Sequence, residues 1–244
     1  MEKVKQEMVC YPVGDCAMAV EYGNSIDEKT NKKVQFLTAY LEKGKIKGIR
    51  EVLPTYRSLL IYYDPDKICY KKLVKKIEHC GAMDGLEYRH IKKIIKIPCL
   101  YNGEDLEEME KITGLSSQEI INIHSGTDYR IYMLGFLPGF VYLGGLDERI
   151  HAPRLKSPRL CIEPGSVGIG GGQTGIYPMA SPGGWRLIGK TPLRMYDVNR
   201  KEPFLCKAGE YIRFVPIEER QYEEIQEKVK TGEYEPEWMT MSEE

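Results

Sequence analysis

The glycine distribution limits this chain more than any other feature: 13 of its 24 glycines fall between Gly135 and Gly189, and six prolines join them there. Glycine gives up the most backbone entropy in a helix and proline removes a donor, so the stretch excludes helices. It must be built of short strands, turns and close backbone approaches. Short strands broken by turns are the pattern of a barrel or sandwich; they begin after Tyr129 and return at Tyr211–Pro216. A helix over residues 218–230, with Tyr222, Ile225 and Val229 inward, then precedes an acidic tail expected to fray.

Upstream the period alternates between strand and helix. Residues 16–22 read as a strand, and Ser25 with Glu28 three positions on reads as a capping box. Val34, Leu37 and Leu41 give the following helix its apolar stripe, and Gly44 ends it. Residues 50–53 and 57–63 read as strands around Pro54. Asp64 as N-cap and Pro65 at the first helical position open a second helix, with Leu73, Ile77 and Cys80 inward. A last strand covers residues 91–99. Strand, helix, strand, strand, helix, strand is the order of a ferredoxin-like α/β sandwich. The expected fold class is therefore α+β in two domains: residues 1–98 ferredoxin-like, and residues 99–244 a β-barrel or sandwich with short helices at its start and one at its end.

Those short helices cover residues 105–113, closed by Gly114, and a segment capped by Ser116 and Glu119 that ends near His124. Two helices about a glycine resemble a helix-turn-helix. Residues 102–126, however, hold Glu104, Asp105, Glu107, Glu108, Glu110 and Glu119 against one Lys, which would repel phosphates. Lys and Arg total 35 against 36 Asp and Glu, a net charge of -1, so nothing global favours nucleic acid or an anionic membrane. The excess of cations over residues 67–96 suits a solvated helix face, because the aromatic pattern of an RNA-binding sheet is missing. No apolar run approaches the roughly 18 to 20 residues that span a bilayer, and the N-terminus has no secretory pattern, so a cytoplasmic protein is expected. Seven scattered cysteines without a Cys-x-x-Cys pair suggest buried thiols rather than disulfides or zinc.

Two nucleotide motifs occur in the glycine-rich region. Gly184, Gly189, Lys190 and Thr191 fit the Walker A spacing, but the residues before them are turn-like and the interior is bulky and strand-like, so no phosphate loop is expected. Gly170, Gly172 and Gly175 fit the dinucleotide fingerprint, yet Ile176, Tyr177 and Pro178 stand where a helix must begin. What survives is more general. Gly170, Gly171, Gly172, Gly183 and Gly184 could present backbone N–H groups to an anion, or could simply form tight hairpins. Gln173 and Thr174 put an amide and a hydroxyl beside them, fit to orient a small amide-like substrate or to cap a turn. His124 could act as acid or base near neutral pH, or could be a helix-end histidine favoured by the dipole. No serine-hydrolase elbow and no metal-ligand spacing is present, so no protein-ligated metal is expected.

The segments YMLGFLPGFVYLGGLDER at 132–149, PGSVGI at 164–169, GGQTGIYP at 171–178, SPGGW at 181–185 and GKTPL at 189–193 resemble the carboxyltransferase and allophanate hydrolase subunit 1 family. Tyr56, Arg57 and Ser58, leading to Tyr63, Asp64 and Pro65, extend the resemblance into the first half; Val141 departs from a proline common in relatives. The family includes B subunits of 5-oxoprolinase and a Kip-type inhibitor of a sporulation histidine kinase. The resemblance implies a ferredoxin-like domain followed by a cyclophilin-like β-barrel. It further implies work with the C and A subunits of 5-oxoprolinase: ATP and Mg²⁺, at a site shared with the partner, activate the lactam of 5-oxoproline, and hydrolysis then yields glutamate. A histidine kinase as partner, or an allophanate or urea pathway role, is the alternative. The site expected is His124 and Gln173 in catalytic roles, with Arg57, Gly170, Gly171, Gly172, Thr174, Tyr177, Ser181, Gly183 and Gly184 binding substrate.

Overall fold

The computed structural model describes residues 8–24, 27–81 and 91–242. The chain is a mixed α/β fold that divides into two compact units, Met1–Arg89 and His90–Glu244.

In the first unit, strands β1 (Met8–Val13), β2 (Ala17–Tyr22), β3 (Ile49–Pro54) and β4 (Ser58–Tyr63) form an antiparallel sheet in the order β1-β2-β4-β3. Helices α1 (Glu28–Lys43) and α2 (Tyr70–Gly81) complete it. Strand alternation sends Leu59, Ile61 and Tyr63 of β4 inward, where they meet Val34, Leu37 and Leu41 of α1 and Leu73, Ile77 and Cys80 of α2 in one core.

Three local expectations are corrected here. The cap of α1 is Asp27, whose Oδ1 accepts from the Thr30 N–H at 2.8 Å; Ser25 lies outside the described residues. Asp64 does not open α2. Its carboxylate accepts from the Asp66 N–H two residues on, a local turn that competes with helix, and α2 begins at Tyr70. Strand β5 (Ile91–Cys99), expected to complete this sheet, belongs to the other unit, so the division falls at residue 89 rather than 98. Its pairing there, parallel to β13 (Tyr211–Pro216), buries Ile95, Ile97 and Cys99 in the second core. The edge beside β2 is filled by β1 instead, a strand whose Pro12 is tolerable only because it lies on an edge.

The second unit begins with β5 and helices α3 (Leu106–Thr113) and α4 (Ser117–Ser125). Both helix ends follow the sequence: Gly114 closes α3 at φ 74°, and Ser116 and Glu119 exchange both capping-box bonds. Then come β6 (Asp128–Leu134), β7 (Val141–Gly144), β8 (Arg159–Ile162), β9 (Ser166–Gly170), β10 (Gln173–Ile176), β11 (Ser181–Gly183), β12 (Arg186–Lys190), β13, helix α5 (Glu219–Thr231) and β14 (Trp238–Ser242). Eight strands form one sheet in the order β12-β9-β10-β7-β6-β13-β5-β14, while β8 and β11 pair separately.

The large sheet curls. Leu100, just past β5, exchanges hydrogen bonds of 2.8 and 2.9 Å with Lys190 of β12, so strands from opposite sides of the order meet. Gly103 follows at a point where a Cβ would lie 2.3 Å from the Leu187 carbonyl oxygen, an approach open only to glycine. Ile225 and Val229 of α5 pack on the core as expected. The acidic tail does not fray through residue 242, because β14 pairs antiparallel with β5. The cysteine expectation holds for Cys80, Cys99 and Cys206, which are buried; Cys16, Cys69 and Cys161 are exposed, and all seven are free thiols. Among the described residues no helix is long and apolar enough to cross a membrane.

Candidate functional site

The glycine-rich motifs converge on one side chain, Trp185. Phe140, Tyr177 and Trp185 are nearly fully buried and form a second, smaller cluster with Ile162 and Leu187, against which Leu137 and Tyr142 pack. The rings meet edge to face, with centroids 5.5 Å apart for Phe140 and Tyr177 and 5.6 Å for Phe140 and Trp185. Phe136 extends the cluster outward. It is 65% exposed, sits edge-on to Phe140 at 5.7 Å, and holds φ at 64°, a strained value for a side chain of that size.

Of the five glycines expected to cradle an anion, Gly170 and Gly183 admit these rings. A Cβ on Gly170 would lie 2.5 Å from Trp185 Nε1, and one on Gly183 would lie 2.4 Å from the Tyr177 hydroxyl. Gly171 and Gly172 make the two-residue turn between β9 and β10, with φ 66° at Gly171 as such turns demand. The Gly171 N–H is spent on the Ala152 carbonyl at 2.7 Å. The Walker-like segment forms β12, a strand whose residues 186–189 are buried, and the dinucleotide-like segment forms the β9–β10 hairpin. Both exclusions made from the sequence agree with these elements.

His124 and Thr174 lie together in the core instead. His124 is fully buried, its Nδ1 2.7 Å from the Tyr101 hydroxyl and its Nε2 2.8 Å from Thr174 Oγ1. Thr174 Oγ1 in turn donates to the Gly168 carbonyl at 3.0 Å. Since that hydroxyl spends its proton on Gly168, it must accept from His124 Nε2–H, which leaves Nδ1 to accept from Tyr101. Burial pushes the imidazole down from 6.5 to about 3, so it is neutral and gains nothing from the helix dipole. A histidine with both nitrogens bonded and no exposed surface does not fit the acid–base role expected of it. Its function is to tie α4 to β10.

Of the remaining expected residues, Tyr177, Gly170 and Gly183 gather around Trp185, and Gly184 accepts at its carbonyl from the Leu155 N–H at 2.7 Å. Gln173 is half-buried at the β10 end of the hairpin. Ser181 is buried and its hydroxyl has no protein partner. Arg57 belongs to the first unit, where its Nη1 donates to the Gly23 carbonyl at 2.5 Å and faces Glu21 at 3.5 Å. A cavity of about 340 Å³ lined by Arg194, Asp197, Arg200, Phe204, Tyr234 and Trp238 contains none of the expected residues.

Sequence reasoning missed the arginines around Trp185. Arg159 Nη2 spans both oxygens of the buried Asp105 at 2.7 and 2.9 Å, and its Nε meets Glu104 at 2.7 Å. Asp105 also accepts from the Leu187 N–H at 2.6 Å, joining the start of α3 to β12. Arg186 pairs with Glu108 and donates to the Pro153 carbonyl. Arg154 lies with its guanidinium carbon 5.7 Å from the Trp185 ring centre. The signal available in the sequence is a pair of Pro-Arg steps, Pro153-Arg154 and Pro158-Arg159, flanking the motifs.

Comparison with known proteins gives these motifs a setting. A sequence profile described as carboxyltransferase domain, subdomain C and D, matches residues 8–206. The chain is 43% identical over 230 residues to the B subunit of 5-oxoprolinase of Bacillus subtilis (strain 168), covering 88% of this chain and 95% of that one. The crystal structure of TTHA0988 is similar at 32% identity and a TM-score of 0.75 over 83% of this chain, which spans only 40% of that longer protein. The Kluyveromyces lactis urea carboxylase shares the fold, with a TM-score of 0.79 over 99% of this chain and 24% of its own, at 22% identity.

Proposed function

The chain belongs to the family of carboxyltransferase domains, subdomains C and D, and on that premise we propose that it works as the B subunit of an ATP-dependent 5-oxoprolinase. The observation that carries the reading is its identity to a B subunit of 5-oxoprolinase over 95% of that protein's length. A lactam carbonyl is a poor electrophile. In the proposed reaction the amide oxygen attacks the γ-phosphorus of ATP and releases ADP; water adds to the carbon of the phosphorylated imidate, the ring C–N bond breaks to free the amine and leave an acyl phosphate, and a second water cleaves that to glutamate and phosphate.

This chain's share of that work is to bind and orient the ring. Its residues do not fit a nucleotide and Mg²⁺ site of their own: the Walker-like segment is a buried strand, and Glu104, Asp105 and Glu108 are held by Arg159 and Arg186. ATP, Mg²⁺ and the second half of the site are therefore assigned to the C subunit, with the A subunit completing hydrolysis. A cytoplasmic setting is part of the proposal and is in keeping with seven free thiols. The finer fold assignment is part of it too. The sheet order β1-β2-β4-β3 with two helices suits a ferredoxin-like sandwich whose last strand is supplied by β1, and the curled sheet meeting at Leu100 and Lys190 suits a cyclophilin-like barrel.

The test is reconstitution. The A and C subunits with this chain should form glutamate from 5-oxoproline and ATP, and omission of the chain should abolish it. Full activity without the chain ends the proposal, and inhibition of a sporulation histidine kinase by the chain alone would replace it with the Kip-type reading.

A further inference from the structure

Three arginines stand around Trp185, and the fold treats them unequally. Arg159 is neutralised by Asp105 and Glu104, and Arg186 by Glu108. Arg154 is exposed and, among the described residues, has neither a hydrogen bond nor an ion pair. Its five N–H donors are open, and its guanidinium carbon lies 5.7 Å from the indole centre.

A solvated surface arginine would ordinarily be free to wander, but the backbone on both sides of this one is fastened to the site. Ala152 exchanges hydrogen bonds of 3.3 and 2.7 Å with Gly171, Pro153 accepts from Arg186 Nε at 3.2 Å, and Leu155 donates to Gly184 at 2.7 Å. The segment is thus tied to the β9–β10 turn and to the turn before Trp185. The Tyr142 and Tyr177 hydroxyls feel the same guanidinium: burial raises both, and Arg154 opposes the rise in each. A cation on an anchored segment, with unspent donors beside the part-exposed ring of Tyr142, is what a small ring bearing a carboxylate requires.

We propose that Arg154 recognises the carboxylate of the substrate, a small lactam acid whose ring lies against Tyr142, the part-exposed edge of the cluster that buries Tyr177 and Trp185. The proposal rests on the 5-oxoprolinase reading and assigns Arg154 the discrimination between an anionic lactam and a neutral one. It leaves the phosphoryl transfer step to other groups.

The experiment uses the chain assembled with its partner subunits and compares 5-oxoproline with 2-pyrrolidinone, the same ring without the carboxylate. Binding is read by calorimetry and turnover by ADP release, for wild type, R154Q and R154K. R154Q should weaken 5-oxoproline about 10- to 100-fold, the range for losing a charge-assisted bidentate contact, and leave 2-pyrrolidinone unchanged. R154K should recover part of the loss. Equal weakening of both ligands, or unchanged affinity for 5-oxoproline, overturns the assignment. If wild type binds 5-oxoproline through Arg154 but never turns it over, the enzymatic reading fails and the anion site stands. If wild type does not bind 5-oxoproline at all, both fall.

Discussion

Replacing His124 by Gln should change how stability responds to acid. The imidazole is neutral and buried among Tyr101, Tyr129, Thr174 and Phe214, with no charged neighbour in contact. Its pKa falls from 6.5 to about 3 on folding, so below pH 6.5 the unfolded chain gains a proton that the folded chain refuses. A depressed histidine pKa therefore contributes stability that is fully present above pH 6.5 and is lost as pH falls toward 3. Each tenfold bias between the two protonation states is worth about 1.36 kcal/mol, so between pH 7.5 and pH 5 this group alone should remove about 2 kcal/mol. A glutamine in its place would keep a donor for Thr174 but cannot titrate. At pH 7.5 the variant should be less stable by on the order of 1 to 3 kcal/mol, from the imperfectly bonded Tyr101 and Thr174. That gap should shrink by about 2 kcal/mol at pH 5, since every other titrating group is common to both proteins and cancels in the difference. Urea unfolding followed by tryptophan fluorescence measures it, because both tryptophans, Trp185 and Trp238, lie in the second unit with His124. A gap that stays constant from pH 7.5 to 5 would refute the buried neutral histidine. A fall in turnover with no stability loss would restore the catalytic role read from the sequence.

Three further outcomes test the walls of the site. Gly170→Ala places a methyl against the Trp185 indole and should cost about 1 to 3 kcal/mol by overpacking, with a shifted tryptophan emission; an unaltered melt and spectrum would mean that the indole does not fill that slot. Asp105→Asn keeps the shape but removes the charge that Arg159 spans, and should cost about 1.5 to 3 kcal/mol in thermal unfolding; no loss would place that pair outside the fold's support. Gln173→Ala should lower turnover of the reconstituted enzyme while the melt stays put, and full turnover would remove Gln173 from the site.

The legible parts of the fold are those decided within a few residues. The capping box at Ser116 and Glu119 and the stop at Gly114 follow from the sequence because both partners of each interaction sit in one turn of chain. Asp64 shows the limit of the same reasoning: a good cap residue before proline makes an equally good local turn, and only the packing of Ile68 and Tyr70 decides between them. Strand β5 has the extent its apolar pattern predicts but joins a different sheet. Nothing in residues 91–99 names the partner Tyr211–Pro216, and parallel pairing across such a separation leaves no turn signal to find.

The site is harder to read for a different reason, which the glycines make plain. In sequence, a glycine needed for positive φ, one needed to bare an amide, and one needed to admit a neighbouring ring are the same letter. Of the thirteen between Gly135 and Gly189, only Gly139, Gly145, Gly165 and Gly171 take positive φ. Gly170 and Gly183 leave the space in which Trp185 and the Tyr177 hydroxyl sit. At Gly170 and Gly183 the stretch therefore makes room for a buried aromatic cluster rather than offering amides to an anion. An anion brought to the exposed edge of that cluster must then be met by a side chain, and among the three arginines around Trp185 the fold leaves Arg154 with its charge unspent.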